Sequence, residues 1–313
     1  MAILAVAGGT GDVGRTLVEE LVQSGKHKVL VLCRKPLYKT PATAISGAEY
    51  AETDYDDIEG TAKMLDSNKV GTVISALTIA GPSAQAQLNL IAAADKSSTA
   101  HRFIPSEYAG YVPKGDEAAL NNPMTSPLVH AAEALDKSSL KYTRIAIGMF
   151  MDYMGLPHIP SHLRKFPWAY DFPSRRAVVS GTGNEPITMT YSKDLARFVA
   201  RLVDEDEWSE WSFISGSDVT QNQIVAIAEK AIGDKLAVTY DTLEELKAGK
   251  ATVLFPNEES YGGMDTMGMM AMLGASVVEG EMLLPKGGRL NDRFPEVQTT
   301  SIDDLITRAW TGK

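Results

Sequence analysis

The sequence predicts an α/β protein: a doubly wound parallel sheet over residues 1–152, followed by a smaller C-terminal region over residues 153–313. Three observations lead there. Short apolar runs alternate with helical patterns through the first half. The runs are continuous rather than alternating, as in strands covered on both faces. A glycine-rich turn joins the first run to the first helix. The chain has 313 residues, 44% hydrophobic and 22% charged, which excludes a disordered, collagenous or coiled-coil protein.

The elements follow in order. Residues 2–7 form the first apolar run, and Val13, Leu17, Val18, Leu21 and Val22 keep helical spacing until Gly25 ends the helix. Further strands are expected at 28–33, 48–52, 70–75, 101–105 and 140–148. A helix carrying Ile58, Ala62, Met64 and Leu65 lies between the third and fourth, and Pro82 opens another at its first turn. Ser126-Pro127 reads as an N-cap and first-turn proline of a helix running to about Ser138. The rhythm then breaks over 151–175, a stretch of prolines, histidines and aromatics without clean period. Helices return at 192–203, 221–232 and 301–310, with strands at 211–215 and 235–240. The helices near 192–204 and 301–311 are expected to pack back on the first region. Residues 262–274 gather Met264, Met267, Met269, Met270 and Met272 between glycines, which suits a pocket for a bulky apolar ligand or an ordinary buried helix.

The turn Gly8-Gly9-Thr10-Gly11-Asp12-Val13-Gly14 has the spacing G-x-x-G-x-x-G. Between a buried strand and an amphipathic helix, such glycines let the backbone approach a pyrophosphate, and the helix start offers bare N–H groups and a positive dipole end. This makes the sheet Rossmann-type. Where NAD-binding versions place an acid after the second strand, this chain has Arg34-Lys35. Cations there suit a 2′-phosphate, so NADP(H) is the expected cofactor. Asp54, past the third strand, either meets the adenine amino group or caps the next helix. Ala76 and Leu77, ending the fourth strand, and Pro105 and Ser106, ending the fifth, complete the expected cofactor-binding set.

With 30 Lys+Arg against 40 Asp+Glu the net charge is −10, which argues against nucleic acid or an anionic membrane as partner. The single cysteine, Cys33, falls in a strand and excludes an internal disulfide or a cysteine zinc cage. No run reaches eighteen apolar residues and the first residues lack the basic start of a secretion signal. A soluble, cytoplasmic protein is expected, as monomer or homodimer, with a small-molecule partner.

From His101 the segment His101-Arg102-Phe103-Ile104-Pro105-Ser106-Glu107-Tyr108 resembles the "FxPSE(F/Y)" strand end of the NmrA-like, isoflavone-reductase-like proteins, atypical short-chain dehydrogenases/reductases. The opening GGTGDVG, the basic residue after the second strand, Lys141-Tyr142-Thr143, and Tyr191-Ser192-Lys193-Asp194-Leu195-Ala196 match as well. The resemblance covers about residues 2–205 and implies NADPH-dependent reduction of an aromatic or polycyclic small molecule in secondary metabolism. It also implies a general acid/base lysine on the helix after the PSE segment, but that position falls on Leu128, which transfers no proton. The Tyr-x-x-x-Lys pair of ordinary short-chain dehydrogenases is missing too: none of the eleven tyrosines has a lysine four residues later. Tyr108 and His130 are therefore the expected proton donors, with Tyr153, His158, Met267 and Met270 lining the substrate. His158 and His162 flank Pro160 and have no acid at ligand spacing, so no metal is expected. Two other readings stay open on this scaffold: a cofactor-dependent cyclase or isomerase of a biosynthetic pathway, and a non-enzymatic NADP(H) sensor of the NmrA type.

Overall fold

The computed structural model describes residues 2–34, 44–80, 83–166, 168–255 and 265–313. In chain order the first half runs β1 (Ile3–Ala7), α1 (Asp12–Ser24), β2 (Lys28–Cys33), β3 (Glu49–Glu52), α2 (Ile58–Ser67), β4 (Thr72–Ser75), α3 (Ser83–Lys96), β5 (Arg102–Ile104), α4 (Glu117–Asn121), α5 (Ser126–Asp136), β6 (Lys141–Tyr142), β7 (Arg144–Ala146) and β8 (Met149–Phe150). The second half runs α6 (Asp152–Gly155), β9 (Tyr170–Asp171), β10 (Arg176–Ser180), β11 (Pro186–Thr190), α7 (Ser192–Leu202), β12 (Trp211–Phe213), β13 (Ser217–Thr220), α8 (Gln221–Ile232), β14 (Ala237–Asp241), α9 (Leu243–Lys247), α10 (Thr266–Val278), α11 (Leu290–Arg293) and α12 (Ile302–Trp310).

The main sheet has six parallel strands in the order β3-β2-β1-β4-β5-β6. The order reverses between β1 and β4, which opens a crevice at their carboxyl ends. Strand β1 is buried on both faces: Leu4 and Val6 join one core with Leu17, Val18 and Leu21, while Ala5 and Ala7 join another with Leu65, Leu90 and Phe103. That two-sided burial is why these strands read as unbroken apolar runs.

The predicted sixth strand is broken at Thr143. Lys141 and Tyr142 pair with β5, and Arg144–Ala146 then pair in parallel with β12. The switch is fixed by Thr143, whose Oγ lies 2.8 Å from Ser212 Oγ, and by the Arg144 N–H, which donates to the Glu210 carbonyl. The helix at Ser126 also starts differently: Thr125 is its N-cap, and Ser126 and Pro127 lie in its first turn. Pro82, expected to open α3, lies outside the described residues.

Helix α7 packs on α1; Leu195, Phe198, Val199 and Leu202 are fully buried there, each contributing about 1.5–3 kcal/mol. Helix α12 does not join them. Its Ile302, Leu305, Ile306 and Trp310 pack in a second core with Ile224 and Ala228 of α8, and with Met151 and Met154. An amphipathic stripe says that a helix docks, not on which core, so this expectation is corrected. Strands β10 and β11, unforeseen in the sequence, anchor that second core. Among the described residues no helix is long and apolar enough to cross a membrane.

Candidate cofactor site

The glycine-rich turn is shaped by backbone contacts that tolerate no side chain at two positions. Gly8 takes a left-handed φ of 75°, and a Cβ there would lie 2.4 Å from the Ala76 carbonyl oxygen. A Cβ on Gly14 would lie 2.2 Å from the Gly8 carbonyl oxygen. These approaches press the start of α1 against the ends of β1 and β4. Gly11 differs: its nearest neighbour to a Cβ is Gly8 O at 4.0 Å, so this position faces open space. Gly11 is also the N-cap of α1 and offers no side chain to the first amides. The N–H groups at Asp12 and Val13 have no intrahelical partner by the geometry of any helix start, beside the exposed Thr10. This is a cradle shaped for an anion.

The strand ends around it are tied together. The buried Ser106 N–H donates to Gln87 Oε1 at 2.7 Å, and its hydroxyl donates to the Leu77 carbonyl at 2.9 Å. Pro105 is buried beside it. Gly8, Ala76, Leu77 and Ser106 thus meet at the carboxyl edge of the sheet. Arg34 follows β2 directly and is exposed; Lys35 lies outside the described residues. Tyr55, which sequence reasoning missed, fills the space beneath: its hydroxyl donates to the Leu32 carbonyl at 3.3 Å, and burial raises its phenol far above the ordinary range. Asp54 does not cap α2. Its Oδ1 accepts from the Asp56 N–H, while the N-cap is Asp57, which accepts from Gly60. Asp54 is left exposed near the crevice.

The residues expected to move a proton or line the substrate have differing surroundings. Tyr108 is buried and its hydroxyl donates to the Ser75 carbonyl at 2.9 Å. Burial, with Glu107 beside it, raises its pKa well beyond the ordinary phenol range. Its one proton is committed to the sheet, so the ring acts as a strut. His130 is exposed on α5, while Leu128 and Val129 point into an apolar cluster with Val112 and Ala119, packed against Ile79. His158 is exposed and sets its ring edge-on to Trp310, 4.7 Å between centroids. Met270 is buried in the second core, while Met267, in the first turn of α10, is 47% exposed. Met264 lies outside the described residues. Tyr153 is half-buried, packs against Phe150 and Phe166, and touches both large cores. Of the residues expected at the substrate, it alone stands where the two regions meet. We therefore expect Tyr108→Phe to cost about 1 kcal/mol of stability, and both Tyr108→Phe and His130→Ala to keep kcat within about twofold of the parent. A hundredfold fall in either, measured under saturating cofactor, would restore that residue as the acid.

One buried ion pair supports the crevice. Arg144 Nε donates to Glu107 Oε1 and Oε2 at 2.8 and 3.0 Å, both side chains being almost wholly inaccessible. The guanidinium also donates to the Val112 carbonyl and stacks 4.0 Å above the Trp211 ring. Burial pushes the Glu107 carboxyl up to about 7, against the pull of Arg144. A carboxyl raised on folding holds its proton more tightly folded than unfolded. Its contribution to stability therefore falls as pH rises from its ordinary 4.5 towards about 7. Urea melts across that window should show the parent losing stability relative to Glu107→Gln; parallel curves would refute the raised value.

A polar groove of about 350 Å³, lined by Glu20, Lys26, Arg197 and Glu296 among others, lies at the opposite end of α1 from the glycine-rich turn. It is separate from the cofactor crevice.

Comparison with known proteins adds to this geometry. The model of the NmrA-like family matches residues 2–273. The chain is 32% identical, over an alignment 347 positions long, to an oxidoreductase, swnN, of Metarhizium robertsii, covering 100% of this chain and 98% of that one. It is 37% identical over 238 residues to an oxidoreductase, BOA1, of Botryotinia fuckeliana, covering 75% and 77% respectively. The leucoanthocyanidin reductase–NADPH complex from Vitis vinifera superposes with a TM-score of 0.73 over 98% of each chain, at 18% identity. At that identity the likeness is one of fold.

Proposed function

Because this chain belongs to the NmrA-like family, we propose that it is an NADPH-dependent oxidoreductase that passes hydride to an aromatic or polycyclic small molecule of secondary metabolism. The observation that carries the reading is the open start of α1, where Gly11 faces open space, with the exposed Arg34 at the end of β2, the strand paired with β1. The related fungal proteins named as oxidoreductases, and the NADPH-bound reductase of the same fold, support it. The residues present fit the cofactor. The amides of Asp12 and Val13 would receive the diphosphate, with Gly8 and Gly14 permitting the close approach. Arg34 would meet the 2′-phosphate, and the edge made by Leu77, Pro105 and Ser106 would face the nicotinamide. Bound there, NADPH supplies the hydride.

The protein's own part is to hold the acceptor carbon close and to exclude water. Tyr153 and its aromatic neighbours offer the apolar wall for that acceptor. The apolar Leu128 means that no side chain at that position protonates the product. The decisive experiment follows NADPH absorbance with a panel of phenolic ketones, enones and imines. Consumption with any member, at a rate above the substrate-free blank, supports the reading. Tight NADPH binding with total inertness across the panel would favour a non-enzymatic sensor, the reading with which an apolar Leu128 also agrees.

A further inference from the structure

Asp12 puts a negative charge on the turn whose amides would receive a diphosphate, where an unbalanced carboxylate would repel the ligand. A segment from the second half of the chain supplies the balancing charge. Arg164 reaches Asp12 Oδ2 with Nε at 3.0 Å and Nη2 at 2.9 Å, and its side chain is 77% exposed rather than in the core. Two residues earlier, His162 Nε2 lies 2.7 Å from Glu19 Oε2, and Glu19 also accepts from Arg15 Nε at 3.0 Å. Asp12 and Glu19 stand seven residues apart, two turns of α1 and about 10 Å, on one face of the helix. An extended segment with side chains of alternate residues on one side can follow that face.

The segment is held in this place by more than charge. Leu163, between the two tethers, is buried in the core that contains Leu17 and Val18. The Ser161 hydroxyl donates to the buried Asp152 at 2.6 Å and accepts from the Leu163 N–H. Asp152 is itself fixed by the Ser192 N–H and hydroxyl at the start of α7. Arg164 is thus carried to the first residue of α1 by an anchored backbone.

We propose that Arg164 is a ligand of the dinucleotide's diphosphate, cancelling Asp12 and fastening residues 161–164 beside the bound cofactor; this rests on the reading that the crevice takes NADP(H). A guanidinium is suited to the task, because its planar fork meets carboxylate and phosphate oxygens alike.

The test is a pair of equilibrium titrations, one with NADPH and one with adenosine 2′-monophosphate, which lacks the diphosphate. Arg164→Ala should weaken NADPH about tenfold and leave the monophosphate within about twofold. Asp12→Asn should act in the opposite direction and tighten NADPH. Arg164→Lys, which keeps the charge without the fork, should show a smaller loss with the same selectivity, and it carries the test if the alanine variant does not fold. Equal losses for both ligands would mean general damage to the crevice and would overturn the proposal, as would unchanged NADPH affinity. Failure of the parent protein to bind NADPH would overturn the cofactor reading itself, whereas a parent that binds and an alanine variant that matches it would overturn only the role of Arg164.

Discussion

Replacing Arg144 with alanine is expected to destabilise the protein by about 3–5 kcal/mol, the usual result of stripping one partner from a buried ion pair. The loss has three parts. Glu107 is left inaccessible without its cation, the Val112 carbonyl loses a donor, and the Trp211 ring loses the guanidinium stacked on it. Because the lone carboxyl would then bind its proton still more tightly, the deficit should widen as pH rises. Glu107 follows Ser106 directly, so the same change loosens the segment that edges the crevice, and cofactor affinity should fall with stability. Chemical denaturation of Glu107→Leu, of Arg144→Met and of the two together gives the coupling. The double variant should lose clearly less than the sum of the singles. A loss below about 1 kcal/mol for Arg144→Ala would mean that the pair carries little of the fold.

The second large effect separates the shape of the turn from the place of the ligand. Gly14→Ala puts a methyl 2.2 Å from the Gly8 carbonyl oxygen, with backbone atoms on every near side. No side chain can swing away, so α1 must shift on the sheet. We expect about 1–3 kcal/mol of destabilisation, the range for overpacking, and loss of detectable NADPH binding. Gly11→Ala meets nothing closer than 4.0 Å and gives up only the N-cap advantage of glycine over alanine, about 0.5–1 kcal/mol. Its methyl would nevertheless project into the space assigned to the diphosphate. It should therefore weaken NADPH strongly while the melting curve stays near the parent's. Were Gly11→Ala to bind as well as the parent, the diphosphate would have to lie elsewhere.

Much of this was legible in the sequence, and for a physical reason. Strands buried on both faces show as runs such as residues 28–33, and the observed β2 has those bounds. The glycine spacing was legible because close approach at Gly8 and Gly14 admits no other residue. What escaped depends on partners distant in the chain. The break at Thr143 reflects an exchange of neighbours from β5 to β12, which no local pattern encodes. The helix from Ile302 to Trp310 showed its apolar stripe but not the core that accepts it. Met267 and Met270 lie three apart on one face of α10, but Met267 is exposed in the first turn and Met270 is buried further along, in the second core. Tyr108, an expected proton donor, gives its hydroxyl hydrogen to the Ser75 carbonyl of β4, a neighbour that its own segment does not reveal. Arg164 gave no signal, since an arginine in an irregular segment is ordinary until its partner on α1 is known.

In the proposed complex, phosphate oxygens of NADP(H) are held by the bare start of α1 while Arg34 selects the phosphorylated ribose. Calorimetric titration of the parent and of Arg34→Ala with NADPH and NADH tests this most directly. The parent should prefer NADPH, and the variant should lose most of that preference by weakening NADPH about tenfold or more with little change for NADH. No heat with either nucleotide, or an equal loss for both on removing Arg34, would contradict it.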